Sequence, residues 1–167
     1  MIKKFLVAIM IALPMCVAAQ TSKFGTVNPQ EILPNMPEYT DATTKLQEAT
    51  KKYEDQLAKL QEEMQKKFNE FKALDEDPNT PQSIKDLHIR ELEESNKKIE
   101  QFYQTAQQDI QRQEQQLMQP VQEKMLNAIQ SVGAEQGLTF IFPTGMAYYQ
   151  GADVIDVTPL VKTKLGI

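Results

Sequence analysis

From position 37 to 74 apolar residues recur in a single file: Tyr39, Ala42, Leu46, Ala49, Tyr53, Leu57, Leu60, Met64, Phe68, Phe71 and Leu74. The steps are threes and fours, the spacing of a helix with one apolar seam, and their alternation is that of a coiled coil. Two pairs of consecutive fours are stutters, where a supercoil locally unwinds. The remaining faces carry Lys, Glu, Gln and Thr and belong to solvent. A second helical pattern starts near Gln82 with a less regular seam through Ile84, Leu87, Leu92, Ile99, Phe102, Ala106, Ile110, Leu117, Val121, Met125, Ala128 and Val132. Between the two runs lies Asp75-Glu76-Asp77-Pro78-Asn79-Thr80-Pro81, whose two prolines and short polar side chains predict a turn. Long helices joined by so short a turn fold back antiparallel. At a rise of 1.5 Å per residue the arm they form is roughly 55 Å long. With the turn centred on Pro78, Pro120 falls opposite Pro37. A proline inside a helix removes a hydrogen bond, so a kink is predicted there, at the base of the arm.

The flanks read differently. Residues 23–27 predict a strand, and Asn28-Pro29 an N-cap with proline at the first helical position, opening one turn that Pro34 closes. Gly133 and Gly137 are expected to loosen the end of the second long helix. Residues 138–142 predict a strand covered on both faces, since four of the five are apolar. Residues 146–149 predict another strand. Thr158-Pro159 predicts the cap and start of a short helix to Leu165, with Gly166 ending it. The fold class is therefore α+β and mostly α: a long antiparallel coiled-coil hairpin on a small β-rich body. The body comprises 20–37 and 118–167, the arm 38–117, and the arm's tip 75–82.

A body of this size has little core. The 66 residues of 22–37 and 118–167 fall under the roughly 70–80 at which a single core supplies more than ~3–5 kcal/mol. Short strands from both chain ends also leave edges that need partners. Several copies pooling their strands into one closed sheet, with the arms projecting, is the expected solution.

Charge and chemistry narrow the function. Met1-Ile2-Lys3-Lys4 is basic, 5–13 is continuously apolar, and Val17-Ala18-Ala19 is small: a secretory signal spanning 1–19, cleaved near Ala19. The bulky Met15 before Cys16 disfavours lipid attachment. The exported remainder has no cysteine and carries 16 basic against 23 acidic residues. That balance turns it away from nucleic acid. Asp75, Asp77 and Asn79 share the spacing of a calcium loop, with Asp86 at the twelfth place. However, Thr80 stands where the loop needs glycine and Asp86 where it needs glutamate, so no metal is expected. His88, the one histidine, has no neighbours of metal-ligand spacing, and neither a catalytic triad nor a phosphate-binding glycine loop is present. No cofactor is called for, and the chain does not read as an enzyme. Ten of the 22 residues from Gln101 to Gln122 are glutamine, which reads as a solvated helix face.

Both ends of the exported chain resemble the Skp/OmpH family of periplasmic chaperones. The likeness lies in Gly25-Thr26-Val27-Asn28-Pro29-Gln30-Glu31-Ile32-Leu33 followed by Met36-Pro37-Glu38-Tyr39. It returns in Ala128-Ile129-Gln130-Ser131-Val132-Gly133, Leu138-Thr139-Phe140-Ile141-Phe142, Ala147-Tyr148-Tyr149 and Asp153-Val154-Ile155-Asp156-Val157-Thr158. The arms match in length and pattern only. The resemblance implies a homotrimer with a small β-barrel body and three helical arms around a cavity. It also implies an ATP-independent holdase acting in the periplasm on unfolded outer-membrane β-barrel proteins. The best-known members are strongly basic, whereas residues 38–118 here hold 12 basic and 18 acidic residues. An anionic-lipid or lipopolysaccharide site is therefore not carried over.

A holdase needs apolar side chains left over from the arm's own seam. Phe102 and Tyr103 are adjacent and cannot both face the partner helix, and the same holds for Leu87 and Ile89. Met64, Phe68, Phe71, Phe102 and Tyr103 are the candidate client-binding residues, set against the plainer reading that they pack the hairpin. The alternative function is an exported coiled-coil scaffold of the cell envelope that binds one folded partner.

Overall fold

A computed structural model describes residues 22–167; the segment 1–19, expected from the sequence to be a secretory signal, lies outside them. In chain order the elements are β1 (Phe24–Val27), α1 (Pro29–Ile32) continued by a 3₁₀ turn (Leu33–Asn35), α2 (Pro37–Glu76), α3 (Gln82–Glu135), β2 (Phe140–Pro143), β3 (Ile155–Asp156) and α4 (Thr158–Leu165). The molecule is mostly helical with one small sheet. Helices α2 and α3 form the expected antiparallel hairpin, 40 and 54 residues long.

Local chemistry accounts for the element ends. The Asn28 side chain accepts the Gln30 N–H at 3.2 Å and caps α1, with Pro29 following. Pro34 does not stop the chain from turning: the helix tightens to 3₁₀ geometry through Asn35. At the end of α3, Gly137 takes φ +62°. The Leu138 N–H reaches back to the Gly133 carbonyl at 2.9 Å and the Gly137 N–H to that of Ala134 at 3.2 Å, the paired closure of a Schellman motif. Gly133 itself does not loosen the helix. It is buried, and a β-carbon there would lie 3.0 Å from Ile141 Cδ1, so its smallness lets α3 close on β2. Helix α4 ends the same way at Gly166, φ +78°. Its cap differs from expectation: Val157, not Thr158, stands at the N-cap, and the Asp156 carboxylate accepts the Thr158 N–H at 2.9 Å and the Thr158 hydroxyl at 2.6 Å. The Thr158 Oγ1 in turn accepts the Asn28 N–H at 2.9 Å, tying the two ends of the chain together.

The sheet has the order β2-β1-β3 and both pairings are parallel. Phe24 stands opposite Phe140, Val27 opposite Pro143 and Thr26 opposite Asp156. A parallel pair needs a long crossover, and between β1 and β2 the whole hairpin serves as that connection. Two strand expectations are corrected. Residues 146–149 form bends and irregular backbone rather than a strand: the turn at Thr144-Gly145, with Gly145 at φ +85°, carries the chain off β2, and the second neighbour of β1 is the unforeseen β3. Residues 138–142 are not covered on both faces. Leu138 and Ile141 pack on the core while Phe140 and Phe142 remain 57% and 40% exposed.

The core joins both chain ends to the foot of the arm. Val27, Ile32, Met36, Ala42, Val121, Ala128, Val132, Val157 and Val161 form one buried cluster. Ile32, Met36, Val157 and Val161 are the most completely enclosed. Ion pairs of Lys124 with Glu38, Lys164 with Glu135, and Lys162 with Glu31 at 3.3 Å brace its rim. Helix α3 runs through Pro120 as one helix, and Pro120 sits beside Val121 at the outer limit of this cluster. Cross-hairpin partners are Glu38 with Lys124, Tyr53 with Asp109, and Lys67 with Ser95. Each is five positions further along α3 than a turn centred on Pro78 implies.

Candidate functional site

Three features of the hairpin decide what its surface offers. The first is a weak seam. In the arm only Leu60 and Ala106 are fully buried beyond Ala42; of the other apolar seam residues Phe68, Ile84 and Leu87 are exposed and the rest half-buried. Polar groups interrupt the seam. The Tyr53 hydroxyl donates to Asp109, which also pairs with Arg112 and accepts from Gln113 Nε2 at 3.3 Å. Nearer the tip, Lys67 Nζ donates to the Ser95 hydroxyl at 3.1 Å, and that hydroxyl donates to the Glu91 carbonyl at 2.7 Å.

The second is an exchange of places in the outer half of the arm. Lys67, not Phe68, continues the 3-4 file of α2 into the interface, and Phe68 is left 48% exposed. On α3, Lys85 and His88 are half-buried while Ile84, Leu87 and Ile89 are exposed. Lys85 Nζ closes the tip by donating to the Asp75 carbonyl at 2.7 Å and to its carboxylate at 3.1 Å. His88 Nδ1 is buried without a hydrogen bond, 3.5 Å from the Glu91 carboxylate. Large apolar side chains thus stand in solvent around the tip while Lys67, Lys85, His88 and Ser95 share the interface with Phe71, Leu74 and Leu92.

The third is a pair of clefts around Phe102 and Tyr103. The Phe102 ring lies 6.1 Å from that of Tyr53 and lines an open groove of about 650 Å³ with Ala49, Leu117, Lys52 and Gln113. Tyr103, 56% exposed, borders a smaller, mostly apolar cavity of about 220 Å³ with Leu57, Ala106 and Ile110. Of the five candidates, Phe102 and Tyr103 therefore meet at one place, Phe68 and Tyr103 are exposed, and Met64 and Phe71 are half-buried in the hairpin. Ile84, Leu87 and Ile89 were not among the candidates. For Leu87 and Ile89 the signal was that residues two apart cannot both face the partner helix; His88 between them takes the half-buried place and both are exposed.

A separate apolar surface lies on the body. Phe24, Phe140 and Phe142 stack across β1 and β2, with centroid separations of 5.9–6.5 Å, and their open sides form an aromatic face. Met146, Tyr148 and Tyr149 on the following loop are more exposed still. At the tip, Asp77 Oδ1 accepts the Asn79 N–H at 2.9 Å and its side-chain amide at 3.1 Å, so this carboxylate serves the turn. Among the described residues no group of three or more His, Cys, Asp or Glu is placed to hold a metal ion. Among the same residues, no helix is long and apolar enough to cross a membrane.

Comparison with known proteins agrees with this architecture. No curated protein matches the chain in sequence. Among solved structures, the chain is similar to an OmpH-like candidate outer membrane chaperone from Caulobacter crescentus CB15. The TM-score is 0.72 at 12% identity, over 86% of this chain and 83% of that one. At that identity the likeness speaks for the fold. The family model described as outer membrane protein (OmpH-like) matches residues 23–165, so the chain belongs to the OmpH-like family.

Proposed function

We propose that this chain is the subunit of an ATP-independent periplasmic holdase for unfolded outer-membrane β-barrel proteins. Residues 20–37 and 118–167 form its body and 38–117 its arm, with the tip at 75–82; residues 1–19 direct export. Three copies close their sheets into a shared barrel through the aromatic face of Phe24, Phe140 and Phe142, and their arms enclose a cavity. The family membership and the fold likeness support a chaperone role.

The observation that carries the reading is the outer arm's exchange of places, with Phe68, Ile84, Leu87, Ile89 and Tyr103 in solvent and Lys67, Lys85, His88 and Ser95 toward the interface. A helix hairpin selected only for rigidity would bury those apolar side chains. Scattered singly among carboxylates and lysines, they make a surface of many weak contacts. Such contacts hold an unfolded chain against aggregation by mass action and release it without chemistry. The acidic arm does not suit an anionic lipid surface, so the client is protein.

The test is twofold. The native complex should have the mass of three chains, and it should keep several unrelated urea-denatured β-barrel proteins soluble on dilution. A lone folded chain at micromolar concentration removes the cavity. Tight binding to one folded envelope protein, with indifference to unfolded ones, makes the chain a scaffold instead.

A further inference from the structure

Along α3, seven glutamines follow each other in steps of three and four: Gln101, Gln104, Gln108, Gln111, Gln115, Gln119 and Gln122. At 3.6 residues per turn they fall within an arc of about 80°, on the side of α3 turned away from the seam of Phe102, Ala106, Gln113 and Leu117. All seven are exposed. Among the described residues only Gln119 spends its amide on another side chain, donating to Glu123 at 2.9 Å. Four of the seven border a shallow depression of about 370 Å³. One step of four beyond Gln122 stands Leu126, 51% exposed.

A solvated helix face does not require this composition. Elsewhere the arm clothes its outer faces in Lys and Glu, whereas 101–122 contains three charged residues, Asp109, Arg112 and Glu114, and the first two pair with each other. Over this stretch amides stand where the rest of the arm carries charge. An amide both donates and accepts and has no preference for the sign of a partner's charge. Those properties match one ligand feature common to every unfolded polypeptide, the backbone, whose N–H and C=O groups all need partners once taken from water. The stripe is about 32 Å long, enough to follow roughly ten extended residues.

We propose that the glutamine stripe of α3 binds the extended backbone of unfolded polypeptide, independent of its sequence. The proposal rests on the holdase reading and names what that holdase recognises. The stripe grips peptide groups along one face of the basal arm, while the exposed apolar residues of the outer arm take side chains.

The test uses the full exported chain and the variant Q104A/Q108A/Q111A/Q115A. Alanine is the strongest helix former, so helicity is kept. The probes are a fluorescently labelled, urea-denatured β-barrel protein and a twenty-residue apolar strand peptide, with a form of that peptide N-methylated at alternate residues. The variant should bind the denatured protein about tenfold more weakly, as expected for the loss of a few modest hydrogen bonds, and equally so at low and high salt. The native chain should prefer the unmethylated peptide about tenfold, and the variant should not discriminate. Equal affinity of variant and native chain for the denatured protein, with equal discrimination between peptides, overturns the proposal. So does a lowered complex mass in the variant, which would make the stripe a contact between copies. A native chain that binds neither probe removes the holdase reading itself, and this inference with it.

Discussion

Phe140 offers the sharpest test of how the body is completed. It stands in β2 with 57% of its surface open, stacked on Phe24 at 6.2 Å and on Phe142 at 5.9 Å. Taking about 200 Å² for a fully exposed phenylalanine side chain, some 110 Å² remains for a partner to cover, worth about 3 kcal/mol at 25 cal/mol per Å². Phe24 and Phe142 add about 4 kcal/mol on the same scale. In the proposed three-chain complex, replacing Phe140 by serine removes the first amount from each copy, about 9 kcal/mol in all. Six decades in a three-body dissociation constant correspond to about a thousandfold rise in the concentration at which the complex half-dissociates. The fold of one chain should survive, because the ring lies outside the buried core and its internal share is the covered remainder, about 2 kcal/mol on the same scale, with about 1 kcal/mol of stacking. Sedimentation over a dilution series, with helicity followed in parallel, measures both quantities. Phe140→Leu should restore most of the association. If Phe140→Ser assembles at the same concentrations as the native chain, the aromatic face is not where copies meet, and the closed barrel loses its basis.

Four further outcomes are expected. Gly25→Val places a β-carbon 2.7 Å from Leu138 Cδ1 and 3.3 Å from the Ile155 carbonyl oxygen, where β1 packs on both neighbours; it should cost about 2–3 kcal/mol in urea unfolding, and an unchanged midpoint refutes the close approach. Tyr53→Phe, which removes the hydroxyl donor to Asp109, should cost about 1 kcal/mol and speed amide exchange in mid-arm while leaving the core of the body as slow as before. Glu38 is held below the ordinary carboxylate range chiefly by the hydrogen bond from Lys124, and Glu135 by that from Lys164 with help from Ser131. Their contribution is present above the unfolded carboxylate range, about pH 4.3, and lost as pH falls through the depressed values; the E38Q/E135Q variant should therefore show a shallower loss of stability in acid, and identical acid profiles count against both pairs. Tyr103→Ser should weaken the holding of denatured β-barrel proteins severalfold with little change in helicity, and undiminished holding removes Tyr103 from the surface.

The hairpin was legible because period and punctuation both wrote it. An unbroken 3-4 file in α2, one proline-rich interruption, and a second file leave few other folds. The start of α1 and the end of α4 were legible for the same local reason, through Asn28, Pro29 and Gly166. What the chain pattern could not supply was partner choice. Residues 146–149 have strand-forming side chains, but the segment that pairs with the second side of β1 is Ile155–Asp156. The Ile155–Asp156 strand is too short to show a period at all. Likewise Phe68 fits the file of α2 as well as Lys67 does by composition, and only the opposing Ser95 decides between them. The aromatic stack was hidden because Phe24 and the Phe140–Phe142 pair lie more than a hundred residues apart in sequence. Gly133 was misjudged because its value lies in the neighbour it admits, Ile141, and a helical glycine looks the same whether it loosens or packs.

The distribution of burial also says where this molecule keeps its stability. Nine side chains are buried together in the body, drawn from both chain ends and the foot of the hairpin. Beyond Ala42 the arm buries only Leu60 and Ala106, and several of its seam contacts are hydrogen bonds between polar groups. Apolar burial of the body's kind is worth about 1.5–3 kcal/mol per large side chain, and a half-exposed seam gains a fraction of that per turn. Segments with few buried contacts open at lower cost than the core they spring from. Because β1, β2 and β3 are parallel and the hairpin is merely the crossover between the first two, the arm can open from its tip without unpairing a strand. The fold thus separates a fixed base from a yielding arm along the boundary where Leu117 and Val121 meet the core. In the proposed holdase, that separation is what lets the arm fit clients of unequal size.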